Sequence, residues 1–148
     1  MYRYECYEKD LLLIILAVIY GAFIVNYFDV LIKPEPPGYP FFLLAIEFFP
    51  FIPVLLEGDW KLFLALGLIV SVVNDIFYTP FATFFLGKAV DLAESILAQF
   101  GYMGSYNWTA NWALFKIEVT GIMMRISLFI RIILIVLLLT SRSKYCKI

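Results

Sequence analysis

The chain has 148 residues, of which 64% are hydrophobic and 19% aromatic, with a mean hydropathy of +0.92 and a net charge of −1. Soluble domains carry about 45–50% apolar residues, so this chain needs lipid or a large partner to cover its surface. The near-zero charge excludes a general electrostatic pull toward nucleic acid. Histidine is missing from the composition, which removes the commonest metal and haem ligand and the usual proton shuttle of neutral pH.

Residues 1–10 are polar and aromatic, and Tyr2, Tyr4 and Tyr7 read as interfacial anchors. An uncharged apolar run over 11–28 follows, with no small-x-small cleavage site behind it. It is therefore read as a first membrane helix over 11–31 and not as a cleaved leader. The segment Lys33-Pro34-Glu35-Pro36-Pro37-Gly38-Tyr39-Pro40 cannot continue a helix and predicts a stiff turn. A second span over 41–56 is short and carries Pro50 and Pro53, each removing a backbone donor, which predicts a kink. Glu57-Gly58-Asp59-Trp60 is a tight turn whose indole suits a membrane–water boundary.

The third span, over 61–86, has Asn74-Asp75 near its middle, and Thr79-Pro80 ends its straight part. Residues 88–102 are amphipathic. Ala89, Leu92, Ala93, Ile96, Leu97 and Phe100 fall on one helical face, and Asp91, Glu94, Ser95 and Gln99 on the other. This pattern fits a helix lying in the interface, ended by Gly101 to Gly104. A fourth span over 111–141 has about 30 residues, roughly 45 Å of helix against a hydrocarbon core of about 30 Å, so it must tilt or protrude. The expected architecture is an all-α integral membrane protein forming one domain over 1–148. It has four transmembrane helices, with a short interfacial helix before the last.

The tail Arg142-Ser143-Lys144-Tyr145-Cys146-Lys147 carries three cations and no acid, which places it in the cytoplasm by the positive-inside rule. Four crossings put the N-terminus there too, in the cell membrane. Asn107-Trp108-Thr109 is an N-glycosylation sequon in the second outer loop. Cys6 and Cys146 stand at opposite ends of the chain and match no CxxC spacing. They read as free cytoplasmic thiols, with a Cys6–Cys146 pair or palmitoylation of Cys146 as alternatives.

Eight polar residues fall where lipid is expected: Asn26, Glu47, Asn74, Asp75, Lys116, Glu118, Arg125 and Arg131. A charge at the bilayer centre costs about 2.5–3.5 kcal/mol on insertion scales and normally finds a partner or water. Counting residues from each helix start, with the membrane core of the fourth span taken to begin near Val119, puts Asn26, Glu47, Asp75 and Arg125 at one depth, roughly 8–10 Å below the outer surface, at about 1.5 Å per residue. Arg125 is then expected to pair with Glu47, Asp75 or both, since its planar fork can bridge two carboxylates. Glu118 would form the mouth of that site, and Lys116 would snorkel. Arg131 has no acid at its depth and is assigned to a lipid phosphate or a partner subunit. Gly67 and Ser71, four apart, read as a close-packing pair.

No nucleophile–base pair, acidic metal motif or cofactor signature is present, which points away from an enzyme and from a bound metal or cofactor. Two functions remain. One is a non-enzymatic subunit of a larger membrane complex, or a homo-oligomer, whose helices are pinned by an intramembrane Glu/Asp–Arg network. The other is a small ion, proton or solute transporter built on the same layer. Both require the bilayer, and the first also requires other membrane subunits or further copies of the chain.

Overall fold

A computed structural model describes residues 2–32, 36–100, 107–112 and 114–142, with side chains from residue 8 onward except at 107, 108 and 111. Four of its helices are long and apolar enough to cross a membrane: Glu8–Leu31, Tyr39–Leu56, Trp60–Phe85 and Gly121–Arg142. The Tyr2, Tyr4 and Tyr7 side chains, the Cys6 thiol, Lys33, the glycines at 101 and 104, and the basic tail beyond Arg142 lie outside the described residues.

The first helix starts as α1 (Tyr2–Ile19), widens to a π-helical segment over Tyr20–Val25, and resumes as α2 (Asn26–Leu31). Gly38, in the left-handed conformation at φ 82°, turns the chain into α3 (Tyr39–Phe48), whose first turn holds Pro40. Proline belongs in a first helical turn, where its missing N–H has no intrahelical role. A 3-10 turn over Phe49–Phe51, carrying Pro50, separates α3 from α4 (Ile52–Leu56). Asp59 starts α5 (Trp60–Phe85) by accepting the Leu62 N–H at 3.0 Å, the usual way a carboxylate caps an orphan donor. Asp91 caps α6 (Leu92–Gln99) likewise, through the Glu94 N–H at 2.9 Å.

Charged contacts fix the helix directions. Lys9 pairs with Glu57 at 2.7 Å, and Arg142 pairs with both Asp10 and Asp59. The start of the first long helix, the end of the second, the start of the third and the end of the fourth therefore share one end of the bundle. The topology is up-down-up-down.

The central helix is α5. Ala17 and Val25 of the first helix, Phe51 and Val54 of the second, and Leu62, Leu66, Ile69 and Val70 of α5 form the buried apolar cluster. Close approach depends on two glycines. A β-carbon on Gly21 would lie 2.8 Å from the Val70 carbonyl oxygen, and one on Gly67 would lie 2.2 Å from the Phe48 ring. The last helix, α7 (Gly121–Arg142), packs along α5, and only Gly121 and Met124 are buried on it.

Two features depart from the expected architecture. An antiparallel hairpin of β1 (Asn107–Asn111) and β2 (Lys116–Thr120) takes the place of the first ten residues expected in the last helix. The fold is thus not purely α. Lys116-Ile117-Glu118-Val119-Thr120 alternates with period two and is rich in β-branched residues, which favours a strand. Its modest hydropathy had merged it with the apolar run that follows. The hairpin rests on the start of α3, where Trp112 meets Phe41 edge-on at 5.0 Å. The second departure is α6, which is shorter than the amphipathic pattern over 88–102 implied.

Candidate functional site within the helix bundle

The later start of α7 resets the depth of its residues. Arg131 stands ten residues after Gly121, and Asp75 ten residues before Phe85 on the antiparallel α5. Both are about 15 Å along their helices from the same end, at about 1.5 Å per residue. The guanidinium of Arg131 accordingly meets the Asp75 carboxylate, and its other terminal nitrogen donates to Ser71 Oγ at 2.8 Å. Its Nε donates to the Ser127 carbonyl one turn back on α7, at 3.3 Å. Arg131 thus holds the position that the sequence assigned to Arg125, and the expectation that it lacks an acid at its depth is overturned. Arg125, half-buried, sits six residues earlier on α7.

Glu47 is 2% exposed. The Ser71 hydroxyl faces its carboxylate, and Asp75, Arg131 and Asp29 lie close enough to act on its charge. Ser71 therefore joins two groups: it accepts from Arg131 and stands before Glu47. The pairing of Gly67 and Ser71 as packing residues holds for Gly67, whereas Ser71 is a polar member of the layer.

Asn26 and Asn74 are also buried, at 0% and 2% exposure. Each lies about one turn beyond the Gly21–Val70 crossing, on the first helix and α5 respectively. The Asn26 amide donates back to the Gly21 and Ala22 carbonyls at 3.0 and 3.1 Å, within the widened π segment. The Oδ1 atoms of both asparagines lack a hydrogen-bond partner among the described residues. Glu118 and Lys116 are not members of the layer. They lie exposed on β2, with Glu118 opposite Thr109. Asn107 occupies the end of β1, opposite Thr120.

Side chains from other helices reach backbone groups close to two prolines. Pro50 has no N–H for the Ile46 carbonyl, and the Tyr20 hydroxyl donates to that carbonyl at 3.2 Å. Near Pro80 the relationship is tighter. The Gln99 amide nitrogen donates to the Asp75 carbonyl, while its oxygen accepts from the Thr79 N–H at 3.0 Å and the Thr79 hydroxyl at 2.7 Å. Residues 75 and 79 stand one turn apart on α5, which runs unbroken from Trp60 to Phe85. The Gln99 amide spans those same two groups, so Asp75 is held through its side chain by Arg131 and through its backbone by Gln99.

A separate groove of about 610 Å³ lies between the first helix and α5, and its lining, which includes Ala22, Phe77, Pro80 and Val90, is entirely apolar. Neither Glu47 nor Asp75 lines it. No group of three or more potential metal ligands of the Cys, Asp or Glu type occurs among the described residues. Comparison with known proteins adds no analogy: no protein-family model, curated protein or solved structure matches the chain.

Sequence reasoning missed Gln99, Tyr20 and Thr79. The available signal for Tyr20 was Pro50, since a buried carbonyl freed in a membrane helix requires an answering polar group.

Proposed function

We propose that this protein is a non-enzymatic multi-pass membrane protein that works as a subunit of a larger membrane complex or as a homo-oligomer. Its termini face the cytoplasm, and its helices are pinned by the Asp75–Ser71–Arg131 network. The exposure of α7 carries this reading. Two arginines, Arg131 and Arg142, moor the helix to α5 at mid-height and at one end. Most of its remaining surface is apolar and open, including Phe129, Ile133 and Leu137 at 66%, 42% and 57% exposure. A helix held by few points and apolar over the rest suits lateral association, where packing and not burial from water drives contact.

The test is disulfide cross-linking in native membranes from single cysteines at Phe129, Ile133 and Leu137, with Met124→Cys, at a buried position of the same helix, as the control. Cross-linked species from the open face and none from Met124 support the reading. Absence of cross-links from every position, together with a monomeric mass by light scattering, rejects it.

A second reading, ion or proton transport, is favoured by one observation. Two of the four long helices leave regular α geometry within about a turn of a layer residue: at Tyr20–Val25 beside Asn26 and at Phe49–Phe51 beside Glu47. Interrupted helices are a recurrent feature of transport sites and functional hinges. One guanidinium against two carboxylates also leaves a negative charge that a proton or a cation would balance. Proton and sodium flux into proteoliposomes is measured for the native protein, Glu47→Gln and Asp75→Asn. Equal flux in all three excludes transport through this layer.

A further inference from the structure

The hairpin that precedes α7 sorts its residues by chemistry. Residues opposite one another in an antiparallel ladder share a face, and the faces alternate along each strand. Thr109 stands opposite Glu118, so these two share a face with Lys116 and Thr120. Ala110 stands opposite Ile117, on the face that also takes Val119. The Trp112 N–H donates to the Phe115 carbonyl at 2.9 Å, and the two rings stack on that second face. One face is thus polar and the other apolar at each of these positions.

The bundle covers only part of the apolar face. Ala110 is buried and Trp112 lies on Phe41, whereas Phe115 and Ile117 are 55% and 41% exposed. Between Trp112 and Phe115 the sequence reads Ala-Leu, where hairpin turns in water favour Gly, Asn or Asp. Leu114 is 93% exposed.

The two ends of the hairpin fix its height. Thr120 runs directly into Gly121, the first residue of the fourth span, and Trp112 beside the turn touches Phe41, the third residue of the second span. Both spans start at the same end of the bundle, so the hairpin runs level with those starts instead of standing away from them. Phe41, Phe42 and Leu44 are themselves exposed. The open apolar face of the hairpin therefore continues the outward-facing side of the second span.

We propose that the hairpin is an interfacial anchor laid on the outer leaflet of a phospholipid bilayer. Leu114, Phe115 and Ile117 enter the boundary between headgroups and acyl chains, and Lys116 and Glu118 face water. Three side chains fall short of the roughly 800 Å² per partner that a stable protein interface takes. Shallow insertion of a few large apolar groups beside a lysine is instead the way amphipathic segments hold to a bilayer. This inference rests on the bilayer placement proposed above, and the experiment reports that placement separately.

The full-length protein, with Cys6 and Cys146 replaced by serine, is reconstituted in phosphatidylcholine–phosphatidylglycerol liposomes with one spin-labelled cysteine at a time. Collision rates are measured with oxygen, which concentrates in lipid, and with a water-soluble nickel chelate present on both sides. Leu134→Cys, on the exposed flank of α7, and Glu57→Cys, in the turn before α5, test the placement. The first favours oxygen and the second nickel; equal ratios at the two reject the bilayer placement itself. With both controls as expected, the oxygen-to-nickel ratio at Phe115→Cys and Ile117→Cys should exceed that at Lys116→Cys and Glu118→Cys by about threefold. Leu114→Cys, at a turn position where the label disturbs no packing, should side with 115 and 117, and it serves as the measurement if another variant does not fold. Ratios without this alternation, or dominated by nickel at 114, 115 and 117, overturn the anchor. Low collision rates with both reagents and an immobilised label at those three positions show a protein in place of lipid and overturn it equally.

Discussion

The Tyr20 hydroxyl donates to the Ile46 carbonyl at 3.2 Å, and that carbonyl is the one Pro50 leaves without its helical N–H. The contact joins the π-helical segment of the first helix to the α3 side of the 3-10 turn in the second. Two local irregularities therefore stabilise each other. Tyr20→Phe leaves a part-buried carbonyl unanswered and is expected to cost about 1–2 kcal/mol, between a lost hydrogen bond and an unsatisfied buried acceptor. Pro50→Ala restores the N–H. In the double variant the Tyr20→Phe penalty should shrink by at least half, as read from a double-mutant cycle of unfolding free energies in detergent.

Arg131→Ala is expected to destabilise the bundle by about 3–5 kcal/mol, because it strands Asp75 and the neighbouring Glu47 without their cation. Arg131→Met with Asp75→Leu removes charge from both sides and should recover most of that loss. Equilibrium unfolding of the single and double variants distinguishes the two cases. An Arg131→Ala protein as stable as the native one contradicts the mooring of α7 described here.

The two glycines predict different patterns of rescue. Gly67→Ala drives a methyl into the Phe48 ring, and the added strain should cost about 1–3 kcal/mol. Trimming the ring with Phe48→Leu should relieve it. Gly21→Ala meets the Val70 backbone carbonyl instead, so no side-chain change at position 70 offers the same relief. Melting temperatures of both alanine variants, alone and with Phe48→Leu, separate these outcomes.

At the other end of the bundle, Arg142 joins three helices through Asp10 and Asp59, and its side chain is 13% exposed. Asp59 also caps α5, so the pair places a cation at the end of α7 beside an acid at the start of α5, complementary to both helix dipoles. Arg142→Lys keeps the charge but loses the fork that addresses two acids. It should recover less than half of the stability lost in Arg142→Ala, with little change between low and high salt. Denaturation midpoints at two ionic strengths check this.

Much of the fold was legible because long apolar runs have few alternatives. The second and third spans were expected at 41–56 and 61–86 and are found at Tyr39–Leu56 and Trp60–Phe85. The fourth was misplaced at its start. Hydropathy reports burial in lipid but not backbone geometry, so the strand pattern of Lys116 to Thr120 was absorbed into a helix. The site error lay mainly in depth: Asp75 stands ten residues, about 15 Å, from the Phe85 end of α5 and not the roughly 8–10 Å counted from the sequence, so it meets Arg131, six residues further along α7 than Arg125. Glu47, Asn26, Asn74 and Asp75 were identifiable as polar residues where lipid is expected. Gln99 was not, because a glutamine on the polar face of a short amphipathic helix looks like an ordinary solvated residue. Its role depends on a contact 24 positions away along the chain, which no local pattern encodes.

The hairpin passes into α7 without an intervening residue, Thr120 closing β2 and Gly121 opening the helix. Strand and helix are thus a single lever with Arg131 part-way along its long arm. Anything that grips the hairpin from outside the bundle, at the Trp112–Phe41 contact or along the exposed strand, would exert torque on the arginine fork without touching it.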